Sequence, residues 1–337
     1  MQHPATEDVT EHHFPDEEDD ENERDKEDED DCWTPLQRAS LGGDLAAVHA
    51  ALASGADVNA PPREYYGRTA LQAACSASHA GVVSALLAAG AEVDDLPGNN
   101  EAKNALQIAA GRPDLGIVRT LLDRGADVNR PASRYFGATA LQSACAAGLG
   151  DVVDLLLRRG ADVNAPPAST GGRTALQAAA EGGFQDIAKT LLLLPLPQPT
   201  EAGDQKRHHH HHHNRVPANV NAAACRSRGV TALQAASHRG HEGMVRMLLE
   251  AGADVRAEGG RYKGARALHA AAEGGYVRVC EMLLDAGAEI EAGAGPGWRG
   301  GQTALQSAAA RGHDEVVRLL RRRGARGREG GGVFLLD

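Results

Sequence analysis

The chain has 337 residues and a formal net charge of -11, and aromatic residues make up only 3% of it while alanine and leucine dominate. That composition excludes one large aromatic core and suits many small helix–helix interfaces. No apolar leader opens the sequence and no run of about 20 apolar residues occurs, so neither secretion nor a membrane-spanning helix is indicated.

Residues 1–31 hold 16 acidic and 2 basic residues, a net of -14, which leaves residues 32–337 at +3. A segment so charged and so poor in apolar groups cannot offset its ordering entropy by burial, and it reads as a disordered acidic tail. The array proper, residues 32–326, begins with Thr34-Pro35, where threonine suits a helix N-cap and proline suits the first helical position. Matching stretches open at Thr69, Asn104, Thr139 and Thr174, each 35 residues after the last, and again at Thr231, Arg266 and Thr303. A period of this length marks a stack of about eight modules, each touching mainly its neighbours.

The module from Thr139 to Asn164 shows the grammar. Thr139 is expected to cap a short helix carrying Ala140, Leu141, Ala144 and Cys145 on one face, and Gly148 to end it. Val152, Val153, Leu155 and Leu156 are expected on the buried face of a second helix, with Arg158 and Arg159 in its last turn and Gly160 as the left-handed cap. The GADV turns repeat Asp57, Asp127, Asp162 and Asp254, so these carboxylates read as turn chemistry rather than as catalytic acids.

Four loops before the module starts carry aromatic residues beside cations: Arg63, Tyr65 and Tyr66; Arg134, Tyr135 and Phe136; Arg261, Tyr262 and Lys263; and Trp298 and Arg299. They hold six of the chain's eleven aromatic residues, and aromatic and Arg side chains are the usual anchors of interfaces. These eleven residues are the expected partner-binding set, although packing of each ring on the next loop accounts for the same pattern. The loop PPASTGG before Thr174 lacks aromatics.

The interval from Thr174 to Thr231 is 57, which places an insertion of 22 residues in the fifth module. It runs over about 194–217 and contains His208 to His213. Six histidines on a loop fix no coordination geometry, so no metal and no other cofactor is expected. Cys75 and Cys145 share a register two modules apart, too distant for a disulfide, which fits a reducing intracellular setting, cytoplasmic or nuclear. Arg318, Arg321, Arg322 and Arg323 give the last helix a polar outer face, before a glycine-rich tail at 327–337. An acidic tail at one end and a capping helix at the other read as a whole adaptor.

The recurring TALQ-x-AA, VV-x-LL and GADVN stretches over about residues 33–326 resemble the ankyrin repeat. The resemblance implies an all-α repeat solenoid of helix pairs joined by β-hairpin loops, which binds proteins through its concave face and loop tips. Gln37, Gln72, Gln107, Gln142, Gln177, Gln234 and Gln306 stand where the family has histidine, and only His269 keeps it. An amide can still bridge backbone groups across the turn, so the fold is expected to persist.

No phosphate-cradling glycine loop, HExxH, CxxC pair or GxSxG is present, and the chain reads as a non-catalytic, monomeric adaptor for an unidentified protein. The alternative is the substrate-recognition subunit of a ligase- or kinase-type assembly whose catalytic domain lies on another chain. Nucleic acid is not expected as a partner, because the array is near neutral and the tail repels phosphate. The same tail could fold back onto basic tips such as Arg63, Arg134, Arg261, Lys263 and Arg299, or simply remain solvated.

Overall fold

The computed structural model describes residues 33–61, 67–94, 103–193, 216–225, 229–258, 265–293 and 301–326. Sixteen helices lie within them, in eight pairs: α1 Pro35–Gly42 and α2 Leu45–Ala53, α3 Ala70–Ser76 and α4 Ala80–Ala88, α5 Ala105–Ala109 and α6 Leu115–Asp123, α7 Ala140–Ala147 and α8 Gly150–Arg158. The series continues with α9 Ala175–Gly182 and α10 Gln185–Leu192, α11 Ala232–Arg239 and α12 Glu242–Glu250, α13 Ala267–Glu273 and α14 Val277–Asp285, and α15 Ala304–Ala310 and α16 Asp314–Arg322. Each first helix packs on the first helices of the neighbouring modules and on its own partner, and the second helices pack in a parallel row. The acidic tail, the C-terminal glycine-rich stretch and the histidine run lie outside the described residues.

The first helices are short, and most begin with a capping box. Thr34, Thr69, Asn104, Thr139, Thr174, Thr231 and Thr303 each accept from the backbone N–H three residues on, where a glutamine side chain in turn accepts from the cap's own N–H. The expected amide bridge is present. Gln142 Nε2 donates to the carbonyls of Ala165 and Pro166 at 3.0 and 3.2 Å, and Gln37, Gln107 and Gln177 make equivalent pairs of bonds. One buried amide thus ties a helix start to the loop that follows the second helix of the same module.

In α8 the buried residues are Val152, Val153, Leu156 and Leu157, while Leu155 is only half-buried. The expected stripe is therefore off by one position: a helix of 3.6 residues per turn returns to the same face after four residues, so the pair Val152-Val153 is followed by Leu156-Leu157. Gly148 ends α7 at φ 72°, and Gly160 follows α8 at φ 88°. At Gly148 the absent Cβ also matters sterically, because the Phe184 ring of the next module fills that space and a Cβ would stand 2.5 Å from it. Tyr276 lies on Gly240, and His79, His241 and His313 lie on Gly43, Gly183 and Gly275, in the same way. His79, His241 and His313 add ring-nitrogen bonds to the carbonyls of Leu41, Glu181 and Glu273 at 3.1, 3.1 and 2.9 Å. Phe184 and Tyr276 are therefore joints between modules.

The GADV turns are bonded as expected of turn chemistry. Asp57, Asp127 and Asp162 each accept from the N–H of the asparagine two residues on, and Asp254 does the same for Arg256. Those asparagines then reach into the next module: Asn129 accepts from Asp162 N–H at 2.8 Å and donates to Gly160 O at 3.0 Å. Side chains rather than a strand ladder satisfy this described part of the loop backbone. Among the described residues the loops show only isolated bridges, Tyr135 with Thr170 and Gly293 with Thr303. After the insertion the chain rejoins the same pattern, with Ala218 N–H on Leu191 O and Asn219 N–H on Asn164.

Candidate protein-interaction surface

The first helices of modules three to five and the described residues just before their caps border an open concavity of about 930 Å³, which residues of modules two and six also line. Its floor is lined by Ile108 of α5, Ser143, Ala146 and Ala147 of α7, and Ala178 of α9. Small side chains dominate that floor, and residues just before the helix caps form its walls. Arg68, Lys103 and Arg173 stand on those walls at one register, each immediately before a helix cap. Arg112 and Arg239 enter from the C-terminal ends of first helices.

Glu181 is the single carboxylate of the lining. It pairs with Arg173 at 2.9 Å and lies 3.6 Å from Arg239. Arg68, Lys103 and Arg112 form no ion pair among the described residues. Ser143 is 8% exposed, and its hydroxyl has no hydrogen-bond partner. Three cations with no ion pair among the described residues thus border one concavity and remain open to an incoming acid.

Of the eleven expected partner-binding residues, Arg134, Tyr135 and Phe136 fall within the described chain. Arg63, Tyr65, Tyr66, Arg261, Tyr262, Lys263, Trp298 and Arg299 lie outside it. Arg134 sits over the Tyr135 ring at 5.6 Å, and Tyr135 bridges to Thr170 of the next loop, so this pair serves loop packing as well as exposure. Phe136 is different. It is 53% exposed, borders the concavity, and holds a left-handed backbone at φ 50°, which costs a non-glycine residue about 1–2 kcal/mol. Two contacts hold it there: its N–H donates to Thr170 O at 3.0 Å, and its ring lies where a side chain on Gly171 would be.

The cations at Arg68, Lys103, Arg112, Arg173 and Arg239 escaped the sequence reading. Their only sequence signal is the shared register of Arg68, Lys103 and Arg173 one residue before a cap. The described cysteines, Cys75, Cys145, Cys225 and Cys280, are buried and form no disulfide among the described residues. Burial, with Asp114 adding to it, pushes the Cys75 thiol up to about 12, and burial likewise raises Cys145 and Cys280, so these thiols are poor nucleophiles. No group of three or more His, Cys, Asp or Glu among the described residues is placed to hold a metal ion. None of the described helices is long and apolar enough to cross a membrane.

A family model for ankyrin repeats in three copies matches residues 7–97, 36–132, 106–196 and 208–294, and a second, for ankyrin repeats in many copies, matches 268–321. The chain belongs to the ankyrin-repeat family. It is an all-helical repeat solenoid of a family whose members are generally non-catalytic protein–protein interaction modules. No curated protein matches the chain closely enough to name a partner or a role.

Proposed function

We propose that the protein is a non-catalytic adaptor that holds an extended segment of another protein along the concavity of modules two to six, with the loop tips at its rim. The observation that carries this reading is the joint presence, around one floor of small side chains, of an exposed, backbone-strained Phe136 and of Arg68, Lys103 and Arg112, which form no ion pair among the described residues. An aromatic anchor beside desolvatable cations is the residue mix of an interface core and its rim.

The test compares the proteins captured from a cell extract by the wild-type chain, by Phe136→Ser combined with Arg112→Glu, and by Tyr135→Ala, each checked by circular dichroism for an intact fold. The proposal expects partners lost with the first variant and weakened with the second. An unchanged captured set with the first variant would contradict it. A ligase or kinase subunit among the lost proteins would place the chain as the recognition part of an enzyme assembly.

A further inference from the structure

We propose that the basic concavity of modules two to six is occupied by this chain's own acidic segment, residues 16–31, which a partner must displace. This rests on the reading of the concavity as the binding surface and names its resident occupant. Residues 16–31 carry thirteen carboxylates against Arg24 and Lys26. The groove is the complement: Arg68, Lys103, Arg112, Arg173 and Arg239 face it with Glu181 as the one opposing charge.

That separation is not the array's average. Residues 32–337 together hold only +3, so placing five cations and one carboxylate around one concavity concentrates charge there. Glu181 is already shared by Arg173 and Arg239, which leaves Arg68, Lys103 and Arg112 for an incoming acid.

Chain length permits the contact. The acidic segment ends three residues before the Thr34 cap, and sixteen extended residues span at most about 55 Å. Layers of packed helices spaced about 8–10 Å put the whole groove within that reach from module one. Tethering raises the local concentration of the segment to about the millimolar range, so contacts that are individually weak and screened by salt become occupied together.

The experiment uses a fluorescein-labelled peptide of residues 16–31 and fluorescence anisotropy at about 50 mM and about 300 mM salt, where screening differs strongly. Full-length protein is compared with a full-length variant in which every Asp and Glu of 16–31 is Asn or Gln. The neutralised variant is expected to bind the peptide, with affinity falling at high salt, and the wild type to bind it at least about tenfold more weakly because its groove is filled. Adding Arg68→Ala, Lys103→Ala and Arg112→Ala to the neutralised variant is expected to weaken binding by at least about tenfold, as each lost cation removes a screened carboxylate contact from the same cluster. Arg318→Ala, Arg321→Ala and Arg322→Ala, on the basic last helix, should leave it unchanged. If the triple groove variant is unstable, the exposed pair Arg68→Gln and Arg112→Gln replaces it.

The proposal is overturned if the neutralised variant does not bind the peptide, if wild type binds it equally well, or if the last-helix variant loses as much as the groove variant. Equal binding by wild type would mean that the groove takes acidic segments of other proteins only. Partner capture, run on these variants and on the Phe136→Ser, Arg112→Glu protein, separates the two readings: capture that depends on Phe136 while the peptide fails to bind removes the tail and leaves the adaptor.

Discussion

Module four and module seven are built on the same plan and solve one problem differently. In module four, Thr139 and Gln142 close a capping box, and the Gln142 amide goes on to bind two carbonyls of the following loop. Module seven has Arg266 and His269 at those positions. Arg266 makes no side-chain cap bond and instead faces Glu258 at 2.9 Å and Glu289 at 3.7 Å. His269 is 1% exposed, and although the Ala292 and Gln302 backbones lie near its ring, neither ring nitrogen makes a hydrogen bond of good geometry. The contrast teaches that the helix pair tolerates loss of the clamp, whereas modules three to five, whose first helices form the groove floor, all carry the complete clamp.

The largest effect expected is at the clamp itself. Gln142→Leu orphans the Thr139 N–H and the Ala165 and Pro166 carbonyls, and should cost about 3–4 kcal/mol in urea denaturation. His269→Leu, which removes a ring without good hydrogen bonds, should stay within about 1 kcal/mol of wild type at pH 7. Equal losses at the two sites would erase the distinction.

Acid should sharpen it next. Burial, assisted by the Arg266 charge, lowers the His269 pKa from 6.5 to about 4. Between those values the unfolded chain takes up a proton that the folded module refuses, so stability contributed by this site is full above pH 6.5 and is lost as pH falls toward 4. The full loss is about 3 kcal/mol. The difference in stability between wild type and His269→Gln, measured by denaturation from pH 7 to pH 4, should follow that curve, and a pH-independent difference would contradict it.

Repair should give a smaller gain. Arg266→Thr with His269→Gln rebuilds the capping box and should raise stability by about 1–2 kcal/mol at pH 7 by the same urea measurement. The smallest effect lies between modules on the exposed side: Arg159→Ala, which removes the 2.7 Å pair with Asp123, should cost less than about 1 kcal/mol and lose even that at high salt.

What could be read in the sequence divides along the same physical line. Caps and glycines act on residues three or four positions away and the glutamine amides stay within their own module, so Thr139, Gln142, Gly148 and Gly160 announced their roles in a single module. Leu155 was misplaced by one position because the run Leu155-Leu156-Leu157 has no polar residue to set its phase. The groove cations could not be recognised in the same way, because Arg68, Arg112 and Arg239 come from different modules and converge only when the stack forms. Phe136 was picked out as one of several tip aromatics, but its difference from Tyr135 depends on a backbone conformation that composition does not encode.

The most direct measurement of the claim that modules two to six carry the binding face is amide hydrogen exchange by mass spectrometry on the full chain and on the chain with a neutralised acidic segment. The account predicts that neutralisation speeds exchange in peptides covering 103–112, 138–147 and 173–182, with 314–322 unchanged. A difference confined to 314–322, or none along the array, would contradict it.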